Sequence, residues 1–191
     1  MSQDNILSPL LVVIKDLLSW LQSKDVPGII IGGVAASLLG RPRLTRDIDA
    51  LVLLDSNVWA DFLNAGIRFG FVSRLPDTLQ FAEKARILLV RHEHSGIDVD
   101  ISFGALPFEE EAVRHAVMVE AGGIEIPLPT PEDLVIMKAI AHRSRDLSDI
   151  ESILDATPEL DIKRILQLVT EFSDVLEMPE ILSDLKKILR K

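Results

Sequence analysis

Four aspartates in two short motifs are the residues of this chain whose types and spacing could do chemistry. Asp47 and Asp49 stand one residue apart at the start of an apolar run, and Asp98 and Asp100 repeat that spacing in a second run. Alternate residues of a β-strand point to the same side, so each pair projects together. Adjacent carboxylates on a core strand are unfavourable unless a cation bridges them. The pair Asp47 and Asp49 therefore predicts a divalent-metal site suited to phosphoryl or nucleotidyl transfer.

Such a site usually needs a third carboxylate from a neighbouring strand. Asp98 and Asp100 are the two candidates. We favour Asp100 because it lies deeper in its run, between Val99 and Ile101, and Asp98 remains the alternative.

A glycine turn precedes the first aspartate pair. The apolar residues 29–31 run into Gly32 and Gly33, and a short stretch of small residues follows. Glycine lets backbone N–H groups approach an anion closely, and a helix N-terminus favours negative charge. Ser37, one helical turn further on, would add a hydroxyl. The turn predicts a phosphate-binding backbone, although an ordinary strand-to-helix connection has the same sequence.

Basic residues are available for a triphosphate in two places. The loop before Asp47 carries Arg41, Arg43 and Arg46, whose guanidinium groups suit phosphate oxygens; the alternative is solubilising loop charge. Further along, Lys138 could reach a triphosphate. The alternative there is an interhelical salt-bridge cluster of Lys138 with Asp146 and Asp149, while Arg145 and Asp146 could fix the helix junction.

Composition limits the classes of protein. The 191 residues fit one compact domain, or a small catalytic domain with a helical appendage. Cysteine is absent, no apolar run is long enough to cross a bilayer, and the opening MSQDN is unlike a signal peptide, so we expect a cytoplasmic protein without a membrane partner. The net charge of −10 disfavours tight binding of long polyanions, whereas a metal-chelated nucleotide, an RNA end on a local basic patch, or a basic protein remains compatible.

The elements that must position these residues follow from apolar periodicity. Gly40 suits a left-handed cap at the end of the second helix. Helices are predicted over residues 6–21, 34–39, 58–65, 76–81, 108–114, 131–142, 146–155, 162–172 and 179–189. Strands are predicted over 29–31, 48–54, 69–73, 85–91, 97–103, 116–119 and 124–126, with the last four forming two hairpins.

This order predicts an α+β fold with a mixed β-sheet flanked by helices and a helical C-terminal part. We expect a catalytic core over residues 1–129, and helices packed on that core over residues 130–191.

These motifs together resemble the DNA polymerase β-like nucleotidyltransferase superfamily, whose pattern is a Gly-Gly turn, an Asp-x-Asp pair on the next strand and a third Asp on a later strand. Within it, the run from Arg43 to Asp49 and the run from Leu128 to Ile150 resemble the abortive-infection and type IV toxin nucleotidyltransferases. The resemblance covers about residues 29–154. It implies the nucleotidyltransferase fold.

The resemblance also implies an activity, which is transfer of a nucleoside monophosphate from an NTP to an acceptor, with Mg²⁺ and release of pyrophosphate. Asp47, Asp49 and Asp100 would bind metal and activate the acceptor hydroxyl. Nucleotide contacts would come from Gly32, Gly33, Ser37, Arg46 and Lys138. The acceptor would be a tRNA or a protein if the chain is a toxin, and a cognate antitoxin would be its partner.

Two other functions fit the same residues. One is an aminoglycoside- or lincosamide-modifying nucleotidyltransferase, since an acidic surface suits cationic drugs. The other is a catalytically silent binding module that retains the fold.

Overall fold

The structure is a computed structural model that describes residues 3–190, with side chains described from Pro9 onward. Residues 1, 2 and 191 lie outside the described residues, and so do the outer ends of the two predicted parts, 1–129 and 130–191.

The predicted mixed sheet is present, in the strand order β1-β2-β5-β4-β3. Strands β2 and β5 are parallel, and the other neighbouring pairs are antiparallel. A separate two-stranded hairpin is formed by β6 and β7. The strands are β1 (Gly28–Ile31), β2 (Asp47–Val52), β3 (Phe71–Ser73), β4 (Ile87–His92), β5 (Ile97–Phe103), β6 (Val117–Ala121) and β7 (Ile124–Leu128).

Helices cover the sheet and form the C-terminal part of the chain. Many begin with residues suited to that position, as where the Thr130 hydroxyl accepts a hydrogen bond from the Asp133 backbone N–H and Pro131 follows it. The helices are α1 (Gln3–Ser23), α2 (Gly32–Leu39), α3 (Trp59–Gly66), α4 (Thr78–Ala85), α5 (Pro107–Arg114), α6 (Pro131–Ala141), α7 (Ser144–Ala156), α8 (Ile162–Val175) and α9 (Pro179–Ile188).

The two faces of the sheet differ in chemistry because successive side chains of each strand alternate between them. Ile48, Ala50 and Val52 of β2 are buried in the main hydrophobic core, together with the matching residues of β5. This core face packs against α1, where Trp20 stacks on Phe62 with 4.2 Å between ring centroids. The opposite face carries the aspartates, and we call it the carboxylate face.

Element types agree with the prediction, while several boundaries move. The second helix begins at Gly32 instead of residue 34, and β2 begins at Asp47 and ends at Val52. The fourth helix covers Thr78–Ala85, so the strand predicted to begin at residue 85 begins at Ile87. Side-chain patterns place elements well but their ends depend on local backbone geometry.

The prediction of a left-handed cap at Gly40 is wrong. Its φ is −126°, and a Cβ at this position would lie 2.7 Å from the Ser152 hydroxyl oxygen of α7. Glycine is therefore required by the close approach of α7 to the end of α2, and not by the sign of φ.

The helices after residue 130 share one hydrophobic core with the sheet. Ile136 of α6, Ile153 of α7 and Ile181 of α9 belong to the same buried cluster as the core-face residues of β2. The boundary at 129/130 stays a prediction. Among the described helices, none combines the length and apolar character needed to cross a membrane.

Candidate active site

Three of the predicted carboxylates meet on neighbouring parallel strands. In the register of β2 and β5, Asp49 lies opposite Asp100 and Asp47 lies opposite Asp98. All four side chains therefore lie on the carboxylate face. Asp47, Asp49 and Asp100 line one cavity of about 250 Å³, which we call the carboxylate cavity; Asp98 does not line it.

The glycine turn is built around Asp49. Gly32 has a φ of +63°, and a Cβ at this position would overlap the Asp49 carboxylate, so only glycine fits. The Gly33 backbone N–H donates a hydrogen bond to Asp49. Ile31 pairs with Asp49 across β1 and β2, so α2 begins beside the carboxylate cavity and its N-terminus favours negative charge there.

Electrostatics distinguish these carboxylates from ordinary surface ones. Burial raises the pKa of Asp49, and the charges of Asp47 and Asp100 raise it further, against the Gly33 hydrogen bond and the Lys138 charge. Burial also raises the pKa of Asp100, although Arg74 opposes that shift. Ionisation is thus opposed where the negative charges converge, which is the situation that a bound cation relieves.

Arg91 binds Asp98 and thereby makes it differ from Asp100, whereas both carboxylates share Arg74. The Arg74 guanidinium reaches across from the end of β3 and binds both carboxylates, with 3.1 Å between Arg74 Nη1 and Asp98 Oδ2. Asp98 also accepts a hydrogen bond from Arg91 Nε at 2.6 Å, and this bond is the main reason that its pKa is lowered despite some burial. Asp98 is thereby held by two arginines outside the carboxylate cavity.

A cationic wall faces the carboxylates across the cavity. It comes from the loop before β2 and from α6, the α6–α7 connection and the first turn of α7. Its members are Arg43, Lys138, Arg143 and Arg145. Gly33, Thr45 and Asp146 complete the lining, and the Thr45 hydroxyl donates to Asp47 Oδ1 at 2.9 Å.

Most of the cationic wall is paired with two buried aspartates, Asp146 and Asp149, and we call this set the ion-paired cluster. Lys138 is 4% exposed, and its Nζ lies 2.8 Å from both Asp146 Oδ1 and Asp149 Oδ2. Arg43 forms two hydrogen bonds with Asp149, at 2.6 and 2.8 Å, and Arg143 Nε donates to Asp146 at 2.6 Å. The predicted interhelical salt-bridge cluster therefore exists, and Lys138 belongs both to it and to the cavity lining.

The aspartates of this cluster shift in the opposite direction to those of the carboxylate cavity. Burial alone would raise the pKa of Asp146 and of Asp149, yet hydrogen bonds and charges from their basic partners outweigh it and lower both. Three cations against two carboxylates leave an excess of positive charge beside the cavity.

Three predicted nucleotide contacts, Gly32, Ser37 and Arg46, are not among the residues that line the cavity, although Gly32 lies against Asp49. Ser37 is fully buried, and its hydroxyl oxygen lies 3.0 Å from the carbonyl oxygens of Gly33 and Arg43, where it ties α2 to the following loop. Arg46 is exposed and lies outside the set of lining residues. Arg41 points away as well, because it pairs with Asp155 of α7.

Sequence reasoning missed the part that Arg143 and Arg74 take in the site, and it assigned Arg145 to the helix junction and not to the cavity lining. Arg143 and Arg145 flank the first residue of α7. The presence of two arginines so close to Asp146 could have indicated from the sequence that both belong to the site. Arg74 had no such signal. It lies in an unremarkable loop, and only the sheet order places it next to Asp100: its backbone N–H donates to Leu89, which pairs with Asp100.

The carboxylate cavity fits a divalent cation in donor chemistry, because carboxylate oxygens are the ligands that Mg²⁺ prefers. Within residues 3–190, no three acidic or histidine side chains already converge as a metal-binding group. Asp100, the third carboxylate, contacts Arg74. Asp47 and Asp49 are the pair that would hold the ion, and Asp100 would join on leaving Arg74.

Comparison with known proteins gives a family and a set of similar folds. Residues 24–188 match the family model described as nucleotidyl transferase AbiEii toxin, type IV TA system. A search among curated proteins found none with significant sequence similarity.

Three solved structures share the fold at low sequence identity. A solution structure of the antibiotic-resistance factor ANT(2'')-Ia is 16% identical with a TM-score of 0.57, over 90% of this chain and 95% of that one. A crystal structure of ANT(2'')-Ia with adenylyl-2''-tobramycin is 15% identical with a TM-score of 0.55, over 86% and 97%. The lincosamide antibiotic adenylyltransferase LnuA, with lincomycin bound, is 16% identical with a TM-score of 0.50, over 75% and 97%.

Proposed function

Because this chain belongs to the AbiEii family of nucleotidyltransferase toxins, we propose that it moves a nucleoside monophosphate from an NTP to an acceptor in a Mg²⁺-dependent reaction. Pyrophosphate leaves as the acceptor oxygen forms its bond to the α-phosphorus. The acceptor is a cellular macromolecule, a tRNA end or a protein, and a cognate antitoxin is the partner expected for a type IV system.

One observation supports this activity most strongly: a row of carboxylates and a wall of cations face each other across a single cavity. Asp47, Asp49 and Asp100 suit the metal side of a metal–triphosphate complex, and Lys138 and Arg145 suit its phosphate oxygens. A neutral ligand would leave the repulsion among the carboxylates and the excess positive charge of the cationic wall uncompensated.

The roles of the residues follow from their places. Bound Mg²⁺ would neutralise charge on the phosphates and orient the reacting oxygens. Asp47 and Asp49 hold the ion, and the Thr45 hydroxyl orients Asp47. Asp100 accepts the proton of the acceptor hydroxyl once it has left Arg74. The N-terminus of α2 and the excess positive charge of the ion-paired cluster orient the triphosphate.

Exposed cations at the cavity support an RNA end as the acceptor. The side chain of Arg143 is 73% exposed, and Arg145 is exposed too, on a chain whose net charge is −10. Such a local basic patch contacts a few phosphates at a strand end, while the remaining surface repels a long polyanion.

Label transfer tests the proposal. Each α-labelled NTP is incubated with Mg²⁺ and total tRNA, candidate proteins, or the protein alone, beside the double variant Asp47→Ala/Asp49→Ala. We expect label in tRNA with the wild type and none with the variant. Label in a protein and not in tRNA would show that the acceptor is a protein. Absence of transfer, together with absence of Mg²⁺-dependent NTP binding by calorimetry, would favour the silent module.

A cationic small molecule is the second acceptor that an observation favours. Two of the similar folds are antibiotic-modifying enzymes, one of them bound to an adenylylated aminoglycoside, and the acidic chain would attract cationic drugs. The same assay with an aminoglycoside and lincosamide panel tests it. Label on a drug but not on tRNA would establish this alternative.

A further inference from the structure

A second cavity adjoins the carboxylate cavity on the same face of the sheet. Its volume is about 240 Å³ and its lining is mainly apolar; we call it the apolar pocket. Ile31, Leu51 and Ser102 form its floor on β1, β2 and β5. Met137 of α6 and Phe172 of α8 form part of its walls.

The two cavities are lined by neighbouring residues of the same strands. Leu51 lies two residues beyond Asp49, and Ser102 lies two residues beyond Asp100 on the paired strand. Two strand residues span about 7 Å, which a ribose can bridge. On the opposite wall, Lys138 lines the carboxylate cavity and the preceding residue, Met137, lines the apolar pocket.

The chemistry of the pocket suits a planar heterocycle. Phe172 packs edge-to-face on Phe108 with 5.7 Å between ring centroids, and Phe108 also lines the pocket. Leu106 at the rim is 46% exposed, so apolar surface remains in contact with water. Ser102 adds a hydroxyl that can donate to or accept from a ring edge. The volume is below the range of about 300–1,000 Å³ typical for drug-sized ligands, which favours a single base.

We propose that the apolar pocket binds the nucleobase of the incoming NTP. This assignment rests on the proposed nucleotidyl transfer and extends it, since it says where the nucleoside lies. The position of Ile31 favours the NTP over the acceptor, because Ile31 directly precedes the Gly32 turn assigned to the triphosphate. Contact between a base and aromatic or apolar side chains then contributes to affinity independently of the phosphates.

A substitution that fills the pocket distinguishes the contribution of the base to NTP binding from the contribution of the phosphates. Ala141 lines the pocket, is exposed and is the last residue of α6, so Ala141→Leu adds bulk there without disturbing the core. Ala156→Leu is the matched control, because Ala156 is likewise exposed and last in its helix, α7, but lies outside the pocket. Calorimetry with Mg²⁺ compares NTP with inorganic tripolyphosphate, which has no base.

We expect Ala141→Leu to weaken NTP binding on the order of tenfold, while tripolyphosphate binding and the behaviour of Ala156→Leu stay at wild-type levels. Leu106→Ala, which removes part of the rim, should weaken NTP binding by a few-fold in the same base-dependent way.

Unchanged NTP affinity in both pocket variants would overturn the assignment alone, and it would do so whether or not the KM for an RNA acceptor is raised. A raised KM together with unchanged NTP affinity would place an acceptor base in the pocket. If the wild type binds neither NTP nor tripolyphosphate, the proposed function fails, and the nucleobase assignment fails with it.

Discussion

The carboxylate row, formed by Asp47, Asp49 and Asp100, adjoins the same cavity as the ion-paired cluster. Negative charge is disfavoured in the row and favoured in the cluster. In the row, Asp49 and Asp100 have raised pKa values because burial and neighbouring carboxylates oppose ionisation. In the cluster, Asp146 and Asp149 have almost no exposed surface. Their pKa values are nevertheless lowered, because the basic partners outweigh the effect of burial.

The contrast distinguishes a site whose charges a bound cation would compensate from a cluster whose charges are compensated by its own side chains. Charges in the cluster are satisfied within the fold, so removing one leaves its partners unpaired. In the row, Asp47 and Asp49 repel each other, so neutralising them relieves that repulsion and harms the chemistry, whereas Asp100 is paired with Arg74. Lys138 lies at the boundary, since it binds the cluster aspartates and also lowers the pKa of Asp49.

The largest expected effect is on the row. Asp47→Asn/Asp49→Asn should reduce nucleotide transfer by at least about 1,000-fold, because metal binding contributes several kcal/mol to the transition state. The folded protein should be as stable as the wild type or more so. Initial rates of label transfer and denaturant unfolding measure the two quantities. A destabilised double variant would contradict the contrast between the regions.

Breaking the cluster should have the opposite result. Asp149→Ala removes the buried carboxylate that pairs with Arg43 and leaves Lys138 with one of its two buried partners, Asp146. It should lower the free energy of unfolding by about 3–5 kcal/mol. Asp155→Ala is the matched control, since it also removes an α7 carboxylate from an arginine of the same loop, but in a pair whose side chains are 75% and 60% exposed. That change should cost less than about 1 kcal/mol. Equal losses in urea titrations would show that burial does not decide the effect.

The two candidates for the third carboxylate give a sharper test within the carboxylate face. Asp100→Asn should reduce transfer by about 100-fold, as expected for loss of a general base, whereas Asp98→Asn should leave transfer within a few-fold of the wild type. The physical reason is that Asp100 lines the cavity while Asp98 is held by Arg74 and Arg91. Steady-state kinetics on both variants would decide between them, and a reversed order would make Asp98 the third ligand.

The smallest expected effect is a pH dependence of stability in the metal-free protein. Asp49 has a folded-state pKa above its ordinary 3.8, so its contribution is fully present below that value and is lost as pH rises through the raised pKa. Asp49→Asn should therefore match the wild type in acid and exceed it at neutral pH. Mg²⁺ should close the difference by stabilising the wild type.

The contribution of Asp149 to stability should depend on pH in the opposite direction. Its lowered pKa means that its contribution is present above the ordinary value and is lost as pH falls through the folded-state pKa. Urea titrations in chelator at several pH values would test both directions. An Asp49→Asn curve parallel to the wild type at every pH would show that Asp49 is not strained by charge.

Much of the fold followed from local patterns. Period-two alternation in β2 and β5 placed the aspartates on one face and the aliphatic residues on the other, and the proline and glycine positions bounded most helices. Helix ends were less predictable. Gly40 shows why, since its role depends on how close α7 lies, which no local pattern records.

The sequence by itself determined the carboxylate pairs, the glycine turn and the family resemblance, because these features depend on residue type and short spacing. Only the tertiary structure decided which partners each charge has. Strand order brings Arg74 onto Asp98 and Asp100, and helix packing brings Arg43 onto Asp149 and buries Lys138. These partners are far apart in the chain, and charge pairing depends on distance and burial in space rather than on separation in sequence.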